Sequence, residues 1–288
     1  MFLIYLNLFR VPQYIKNIFV FAPLFFSFNF TTVKLFDTLL VFILFSFLAS
    51  SIYIFNDLMD INEDKKHPIK KFRPIASEKI SKNKAKLFVI LIAFISLFIS
   101  FLISKSLFLI LCMYFIMNIF YSLKLKHIAI IDIFIIASGF VLRLFAGAII
   151  INVQLSMWII IMTFLLALFL ALAKRRDDVL LSLNGDKTRK NIDGYNLEFV
   201  NASMVLMSGV VIVSYILYTV SENVIEKLNS QYLYLTTVFV VLGILRYMQI
   251  TFVEEDSGSP SKIILNDRLL QLSIISWLFS FILIVKII

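Results

Sequence analysis

The chain has 288 residues, of which 61% are hydrophobic and only 16% are charged, and it carries 31 phenylalanines. Its mean hydropathy is +0.96. A water-soluble protein of this size could not bury that much apolar surface, and the exposed remainder would aggregate. The composition therefore predicts membrane-spanning helices, because only helices satisfy their own backbone groups in lipid. The single cysteine, Cys112, excludes an internal disulfide and a cysteine-based metal site.

Nine apolar stretches are candidate membrane spans. In chain order they cover approximately residues 17–31, 35–55, 85–103, 106–122, 128–151, 155–173, 200–220, 232–252 and 269–287. The first is short and is interrupted by Pro23. The polar segments between these stretches do not indicate a soluble domain. The N-terminus does not indicate a cleavable signal. The sequence predicts one all-α transmembrane domain over residues 1–288.

Positive charge is distributed unevenly between the two sides of this predicted bundle. If the N-terminus is cytoplasmic, 21 of the 27 lysines and arginines fall in cytoplasmic segments. The opposite side then holds four lysines, at positions 34, 105, 227 and 286. Because basic residues are enriched in cytoplasmic loops, this split predicts a cytoplasmic N-terminus in the cell membrane. It also explains the net charge of +9 without a nucleic-acid partner.

The most informative polar stretch follows the second predicted span and reads Asn56-Asp57-Leu58-Met59-Asp60-Ile61-Asn62-Glu63-Asp64. The spacing i, i+3 and i+7 of Asp57, Asp60 and Asp64 predicts three carboxylates on one face of a helix. Their repulsion must be offset, and Mg²⁺ in proteins binds one or two carboxylates together with substrate phosphate oxygens. The alternative is a solvated helix end neutralised by the lysines that follow. A position at the mouth of a transmembrane helix favours a functional site.

The next segment is basic and reads His67-Pro68-Ile69-Lys70-Lys71-Phe72-Arg73-Pro74-Ile75. Lysine and arginine directly after acidic metal ligands are suited to hold an anionic, metal-bound phosphate. His67 by itself is more typical of a loop residue than of a metal ligand.

These two segments together resemble the first aspartate-rich motif of the UbiA prenyltransferase superfamily. The basic segment is similar to one bacterial branch of it, the decaprenyl-phosphate phosphoribosyltransferases. Further segments resemble that branch in the same order along nearly the whole chain. They are Gln13 to Asn17, Tyr121 to Lys126 with Asp132 and Arg143 downstream, Lys174 to Asp178, and Asn266-Asp267-Arg268.

The resemblance implies a nine-helix UbiA-type bundle with a polar pocket that opens to the cytoplasm and sideways to the bilayer. It implies Mg²⁺-dependent transfer of 5-phosphoribose from PRPP to a membrane polyprenyl phosphate, with release of diphosphate. Asp57, Asp60 and Asp64 are the implied catalytic and metal-binding residues. The implied substrate-binding residues are Lys16, Asn17, Asn56, Lys70, Arg73, Tyr121, Lys126, Arg143, Lys174, Arg175 and Asp178.

The segment Lys174-Arg175-Arg176-Asp177-Asp178 resembles the second motif of the superfamily. Asp178 stands where the branch usually carries a glutamate, and Asp177 is the alternative. Neither has an acidic partner four residues later, whereas members that alkylate aromatic rings generally show Asp-x-x-x-Asp here. Its absence favours the phosphoribosyl branch. Membrane anchoring is an equal alternative for the basic residues taken alone.

Other polar residues leave alternatives open. Arg143 lies deep in the fifth predicted span. It is interpreted equally well as part of an ion pair, for example with Asp132, and as a substrate contact. Without the resemblance, Tyr121 and Lys126 are typical of helix-end anchors. Tyr195 is interpreted as part of a simple turn. Asp267 and Arg268 are interpreted as an ion pair at the head of the last helix.

Two other functions are considered. The first is a UbiA-type prenyltransferase that moves an isoprenoid from its diphosphate to an aromatic or other small acceptor through the same Asp57 cluster. The second is a transporter or channel with the acidic cluster as a cation site. Transporters place such sites near the middle of the membrane and often contain internal repeats. In this chain the acidic residues lie at one membrane face and no repeat is evident, which disfavours transport.

Overall fold

The structure, a computed structural model, describes residues 2–66, 69–184 and 192–287. Within these ranges every regular element is helical, as the composition predicts. His67 and Pro68 of the predicted phosphate-binding segment lie outside the described residues, as do three of the basic residues counted above, Lys187, Arg189 and Lys190.

The α-helices are numbered in chain order. They are α1 Phe2–Leu8, α2 Ala22–Ser27, α3 Thr32–Met59, α4 Ile61–Asp64, α5 Lys82–Ile103, α6 Lys105–Leu123, α7 Ile131–Ile150, α8 Met157–Leu183, α9 Leu197–Thr219, α10 Glu222–Leu228, α11 Thr237–Phe252, α12 Pro260–Asn266 and α13 Arg268–Ile287. Five 3₁₀ segments accompany them: Val11–Phe21, Lys70–Phe72, Leu125–His127, Ile192–Gly194 and Leu233–Thr236.

Eight helices in the described part of the chain are long and apolar enough to cross a membrane. They are α3, α5, α6, α7, α8, α9, α11 with the 3₁₀ turn before it, and α13. The stretch predicted as the first span, residues 17–31, is divided between the 3₁₀ segment and the short helix α2. A proline stands near the start of each, where the missing N–H costs no helical hydrogen bond. The count of nine spans and the side of the N-terminus stay predictions.

Helices α3 and α8 continue beyond the apolar stretches that predict them. Helix α3 reaches Met59 and so carries Asp57, while α8 reaches Leu183 and carries the whole segment 174–178. The beginning of the first polar motif and the whole of the second are thus held on the ends of long membrane helices. Backbone hydrogen bonds of the helix fix their positions better than a loop would.

The described chain divides into two compact units, residues 1–126 with 139–154 and residues 127–138 with 155–288. In the first unit α3 packs against α5, α6 and the 3₁₀ segment Val11–Phe21. The buried face of α5 is rich in small residues, including Ala85, Ala93, Ser96 and Ser100. Small side chains let membrane helices approach closely. The two serines donate to carbonyls of their own helix, so their hydroxyls are satisfied.

In the second unit α8 packs against α9, and α11 packs against α13. Asp267 precedes α13 and accepts a hydrogen bond from the Leu270 backbone N–H at 2.7 Å. The ion pair of Asp267 is formed with Arg246 on α11, where Nη2 lies 2.7 Å from Oδ2. The predicted pairing with the adjacent Arg268 is therefore wrong. Proximity in the sequence favours a pair between Asp267 and Arg268, whereas helix packing brings Arg246 close to Asp267.

We expect Asp267→Ala to lower the free energy of unfolding by about 1 kcal/mol, since it removes the cap of α13. Hydrogen bonds from Arg246 and the Leu270 N–H hold the pKa of Asp267 below its usual value. Because the folded pKa is the lower one, this stabilisation is present above the unfolded pKa of about 3.9 and is lost as the pH falls through the folded pKa. Thermal unfolding in detergent from pH 7 to pH 3 measures both effects. Asp267→Asn, which keeps a capping oxygen, is the control and should lose less.

Candidate active site: two buried polar clusters

The three motif aspartates do not lie on one helical face, and that prediction is wrong. Helix α3 ends at Met59, and Asp60 leaves the helical conformation with φ −95° and ψ 9° before α4 begins. Asp57 and Asp64 are buried, with 2% and 3% of their surface exposed. The break turns Asp60 toward different partners, so the three carboxylates are not stacked along a single helix where they would repel one another.

The buried pair is neutralised by two arginines. Arg73 Nη1 lies 2.7 Å from Asp64 Oδ2 and 3.0 Å from Asp57 Oδ1. Arg10 forms a second ion pair with Asp57. The sequence predicted Arg73 but missed Arg10, which stands 47 residues away and reads there only as a basic residue before the first span. The negative charge of this buried pair is thus compensated by Arg10 and Arg73.

Asp60 is held by two other residues that the sequence predicted. Lys126 forms an ion pair with Asp60 Oδ1, and Asn56 Nδ2 donates to Asp60 Oδ2 at 3.0 Å. Lys126 is buried, so it is not a helix-end anchor at a membrane surface. We call Asn56, Asp57, Asp60 and Asp64 with the cations Arg10, Arg73 and Lys126 the aspartate cluster.

The aspartate cluster suits a hard divalent cation by its donor chemistry. Carboxylate oxygens are the ligands that Mg²⁺ prefers in proteins, and three carboxylates stand here within ten residues of one another in the sequence. A single cationic group, Arg73 Nη1, already bridges two of them. In the described ranges no three His, Cys, Asp or Glu side chains are arranged as a complete metal site. The carboxylates fit the ion, and basic side chains are their partners in this structure.

Arg143 is buried in the first unit, with 4% of its surface exposed. Its guanidinium donates to Asn17 Oδ1 at 2.7 Å, to the Gly139 carbonyl at 2.7 Å and to the Tyr114 hydroxyl at 3.0 Å. Aromatic rings, among them Phe45, lie beside it. These neutral groups take the place of the carboxylate that the sequence suggested. They satisfy the donors of Arg143 but leave its positive charge uncompensated by any described side chain.

Lys16 lies in the 3₁₀ segment Val11–Phe21 and is subject to the positive charges of two arginines. Burial together with the positive charges of Arg143 and Arg10 lowers the pKa of Lys16 to about 8. Among the side chains that the structure describes, none forms an ion pair with it. An anion beside Lys16 would relieve this accumulation of positive charge. Asn17, the next residue, is fixed by its bond to Ser46 on α3.

The second unit holds another buried group around the end of α8. Arg175 Nε lies 2.8 Å from Asp132 Oδ2, and Arg175 Nη1 pairs with Asp178. The Tyr195 hydroxyl donates to Asp132 Oδ1 at 2.6 Å and accepts from the Ile130 N–H at 2.7 Å. We call Asp132, Arg175, Asp178 and Tyr195 the Arg175 cluster. The backbone of Tyr195 does follow a turn, as predicted, but its buried side chain has a role that no local pattern indicated.

The remaining second-motif residues have separate surroundings. Arg176 is buried and donates to Asn201 and to the Thr251 carbonyl, so it joins α9 and α11 to α8. Burial of Arg175 and Arg176 shows that neither is a surface anchor. Asp177 lies against Gly258, where an added Cβ would approach Asp177 Oδ2 to 2.4 Å.

Three predicted substrate-binding residues stand close to these groups in the sequence. Lys70 is in the short 3₁₀ segment after the aspartate cluster, Tyr121 is near the end of α6, and Lys174 precedes the Arg175 cluster on α8. All three side chains are partly exposed. Their roles toward a substrate stay predictions.

Comparison with known proteins identifies the family by sequence. The model of the UbiA prenyltransferase family matches residues 19–275. A decaprenyl-phosphate phosphoribosyltransferase of Mycolicibacterium smegmatis is 31% identical over 247 residues, which cover 82% of this chain and 76% of the relative. The protein of the same name from Corynebacterium glutamicum is 30% identical over 276 residues, covering 94% and 83%.

Solved structures agree on the fold. A UbiA homologue from Archaeoglobus fulgidus bound to DMAPP and Mg²⁺ has a TM-score of 0.71 at 18% identity and covers 99% of both chains. Its complex with GPP and Mg²⁺ gives a TM-score of 0.72 at 20% identity, over 97% of this chain and 99% of that one. The chain therefore belongs to the UbiA prenyltransferase family and is a multi-pass membrane transferase.

Proposed function

We propose that the protein transfers 5-phosphoribose from PRPP to a polyprenyl phosphate of the cell membrane, in a Mg²⁺-dependent reaction at the cytoplasmic side. The observation that carries the proposal is the buried, arginine-bridged pair Asp57 and Asp64 in the aspartate cluster. The sugar donor and the lipid acceptor are inferred from the name shared by two relatives that are about 30% identical over most of both chains.

Asp57, Asp60 and Asp64 would hold the metal ion. When bound, Mg²⁺ would supply positive charge that stabilises the departing diphosphate. Arg10, Arg73 and Lys126 neutralise the carboxylates in this structure. With the metal in place these three side chains would be released toward phosphate oxygens, for which arginine offers a paired set of donors. The three cations would then exchange internal ion pairs for contacts to the substrate.

The proposed reaction exchanges one C–O bond for another at the anomeric carbon of the sugar. The bond from this carbon to diphosphate breaks, and a phosphate oxygen of the lipid forms the new bond. Because the lipid phosphate is already an anion, no strong general base is required, and positioning with electrostatic stabilisation supplies most of the catalysis. Lys16 and Arg143, whose charges are uncompensated by described side chains, are suited to bind substrate phosphate.

A second candidate is the transfer of an isoprenoid from its diphosphate to a small acceptor. The fold neighbours bound to DMAPP or GPP with Mg²⁺ favour it. The residues four positions after Asp177 and Asp178 are Leu181 and Ser182, so the second motif lacks the acidic partner that the resemblance associates with such enzymes.

The test uses purified protein in detergent with Mg²⁺, a polyprenyl phosphate and PRPP labelled in the sugar. We expect label in the organic-extractable lipid, and we expect EDTA to abolish it and added Mg²⁺ to restore it. A parallel reaction contains a labelled prenyl diphosphate and an aromatic acceptor. Product in this reaction alone would replace the proposal with the second candidate.

A further inference from the structure

The Arg175 cluster is a continuous polar chain within the second unit. It runs from the Ile130 N–H through the Tyr195 hydroxyl to Asp132, and from Asp132 through Arg175 to Asp178. Each group contacts the next within hydrogen-bonding or ion-pair distance. Because Asp132 uses one carboxylate oxygen for Tyr195 and the other for Arg175, the hydroxyl fixes the rotation of the carboxylate that holds the guanidinium.

Burial differs along this series of polar groups. Asp132 and Arg175 are fully buried, whereas 16% of the Asp178 side chain is exposed. Asp178 is therefore the most exposed member of the Arg175 cluster, whereas Arg175 is shielded from water. Charges removed from water are stabilised only by well-defined partners, so a loss of geometry at Tyr195 would be transmitted along the chain.

Tyr195 is suited to act as a permanent donor. Burial and its hydrogen bond to Asp132 raise the pKa of Tyr195 above its usual value. The hydroxyl therefore keeps its proton at physiological pH, and Asp132 receives a neutral donor that adds no charge beside Arg175.

We infer that Tyr195 is a positioning residue for Asp178, acting through Asp132 and Arg175. The inference deepens the proposed function and rests on it for the role of Asp178 at the substrate. It gives the loop before α9 a part in the reaction although no residue of that loop needs to reach the reacting atoms.

The test is a double-mutant cycle in the transfer assay. Tyr195→Phe keeps the ring and removes only the hydroxyl, and we expect kcat/KM for PRPP to fall about tenfold, as for loss of a hydrogen bond to a charged group. Asp178→Asn should lower kcat/KM for PRPP more than Tyr195→Phe does. In the Asp178→Asn background, Tyr195→Phe should cause less than a twofold additional loss, because the residue through which it acts is already altered.

Tyr215→Phe is the matched control. It removes another buried phenol hydroxyl of the second unit, one bonded to Thr236 and Trp277, away from the Arg175 cluster. Its kcat/KM should stay within twofold of the wild type. Equal effects of the two tyrosine variants, or losses that multiply fully in the double variant, would overturn the inference.

Thermal unfolding of the same proteins separates this inference from the proposed function. If the wild type transfers no phosphoribose, the proposed function fails. The coupling between Tyr195 and Asp178 can still be tested without substrate. The shift in unfolding midpoint of Tyr195→Phe/Asp178→Asn should then be clearly smaller than the two single shifts added together. Additive shifts would show that Tyr195 and Asp178 are not coupled.

Discussion

Asp57→Asn is expected to lower phosphoribosyl transfer by about a thousandfold at saturating substrate. Asp57 is buried and shares its partner Arg73 with Asp64, so it lies at the centre of the aspartate cluster. Asparagine has nearly the same shape as aspartate but no negative charge. Loss of a charged group that orients the stabilising cation lowers the rate by roughly two to three orders of magnitude. The measurement is the initial rate of lipid labelling over a range of Mg²⁺ concentrations, where the variant should also require more Mg²⁺.

Asp37→Asn provides the control because it makes the same chemical change at the other end of α3. It should leave the rate and the Mg²⁺ requirement unchanged. Unfolding midpoints of both variants show whether a lost rate reflects lost folding, since Asp57→Asn also leaves Arg10 and Arg73 with less negative charge. A folded Asp57→Asn protein that keeps more than about a tenth of the activity would contradict the metal-binding role.

Gly147→Ala is expected to destabilise the first unit by about 3 kcal/mol or more. A Cβ at position 147 on α7 would lie 1.9 Å from the Val20 carbonyl oxygen and 2.9 Å from its carbon. These are backbone atoms of the 3₁₀ segment, so no side-chain rotation relieves the overlap. The segment that carries Lys16 and Asn17 would have to move away from α7, and hydrogen bonding between Asn17 and Arg143 would weaken.

Gly209→Ala on α9 is the matched control, because no atom lies within 4 Å of a Cβ added there. Alanine should instead favour the helix by roughly 0.5–1 kcal/mol. The two variants are compared by thermal unfolding in the same detergent, with the Mg²⁺-dependent labelling rate as a second measurement. Equal stability of the Gly147→Ala protein and the wild type would mean that α7 and the 3₁₀ segment do not pack as closely as described.

The sequence by itself determined the helical membrane fold and most of the aspartate cluster. Hydropathy is a local property, so the long apolar runs identify the eight long helices of the described chain without knowledge of their packing. Asn56, Asp57, Asp60 and Asp64 are close together in the chain, and Arg73 follows within ten residues of Asp64. Their proximity in space therefore follows from proximity in sequence, and the family motif added Lys126.

Only the tertiary structure decided which charges meet. Arg10 reaches Asp57 across 47 residues, Tyr195 reaches Asp132 across 63, and Arg246 reaches Asp267 across 21. No local pattern encodes such pairs, because each arises from the packing of helices whose apolar faces look alike in sequence. The break at Asp60 has the same origin. Spacing predicted one helical face, but separate partners for Asp57 and Asp60 stabilise a chain that leaves the helix between them.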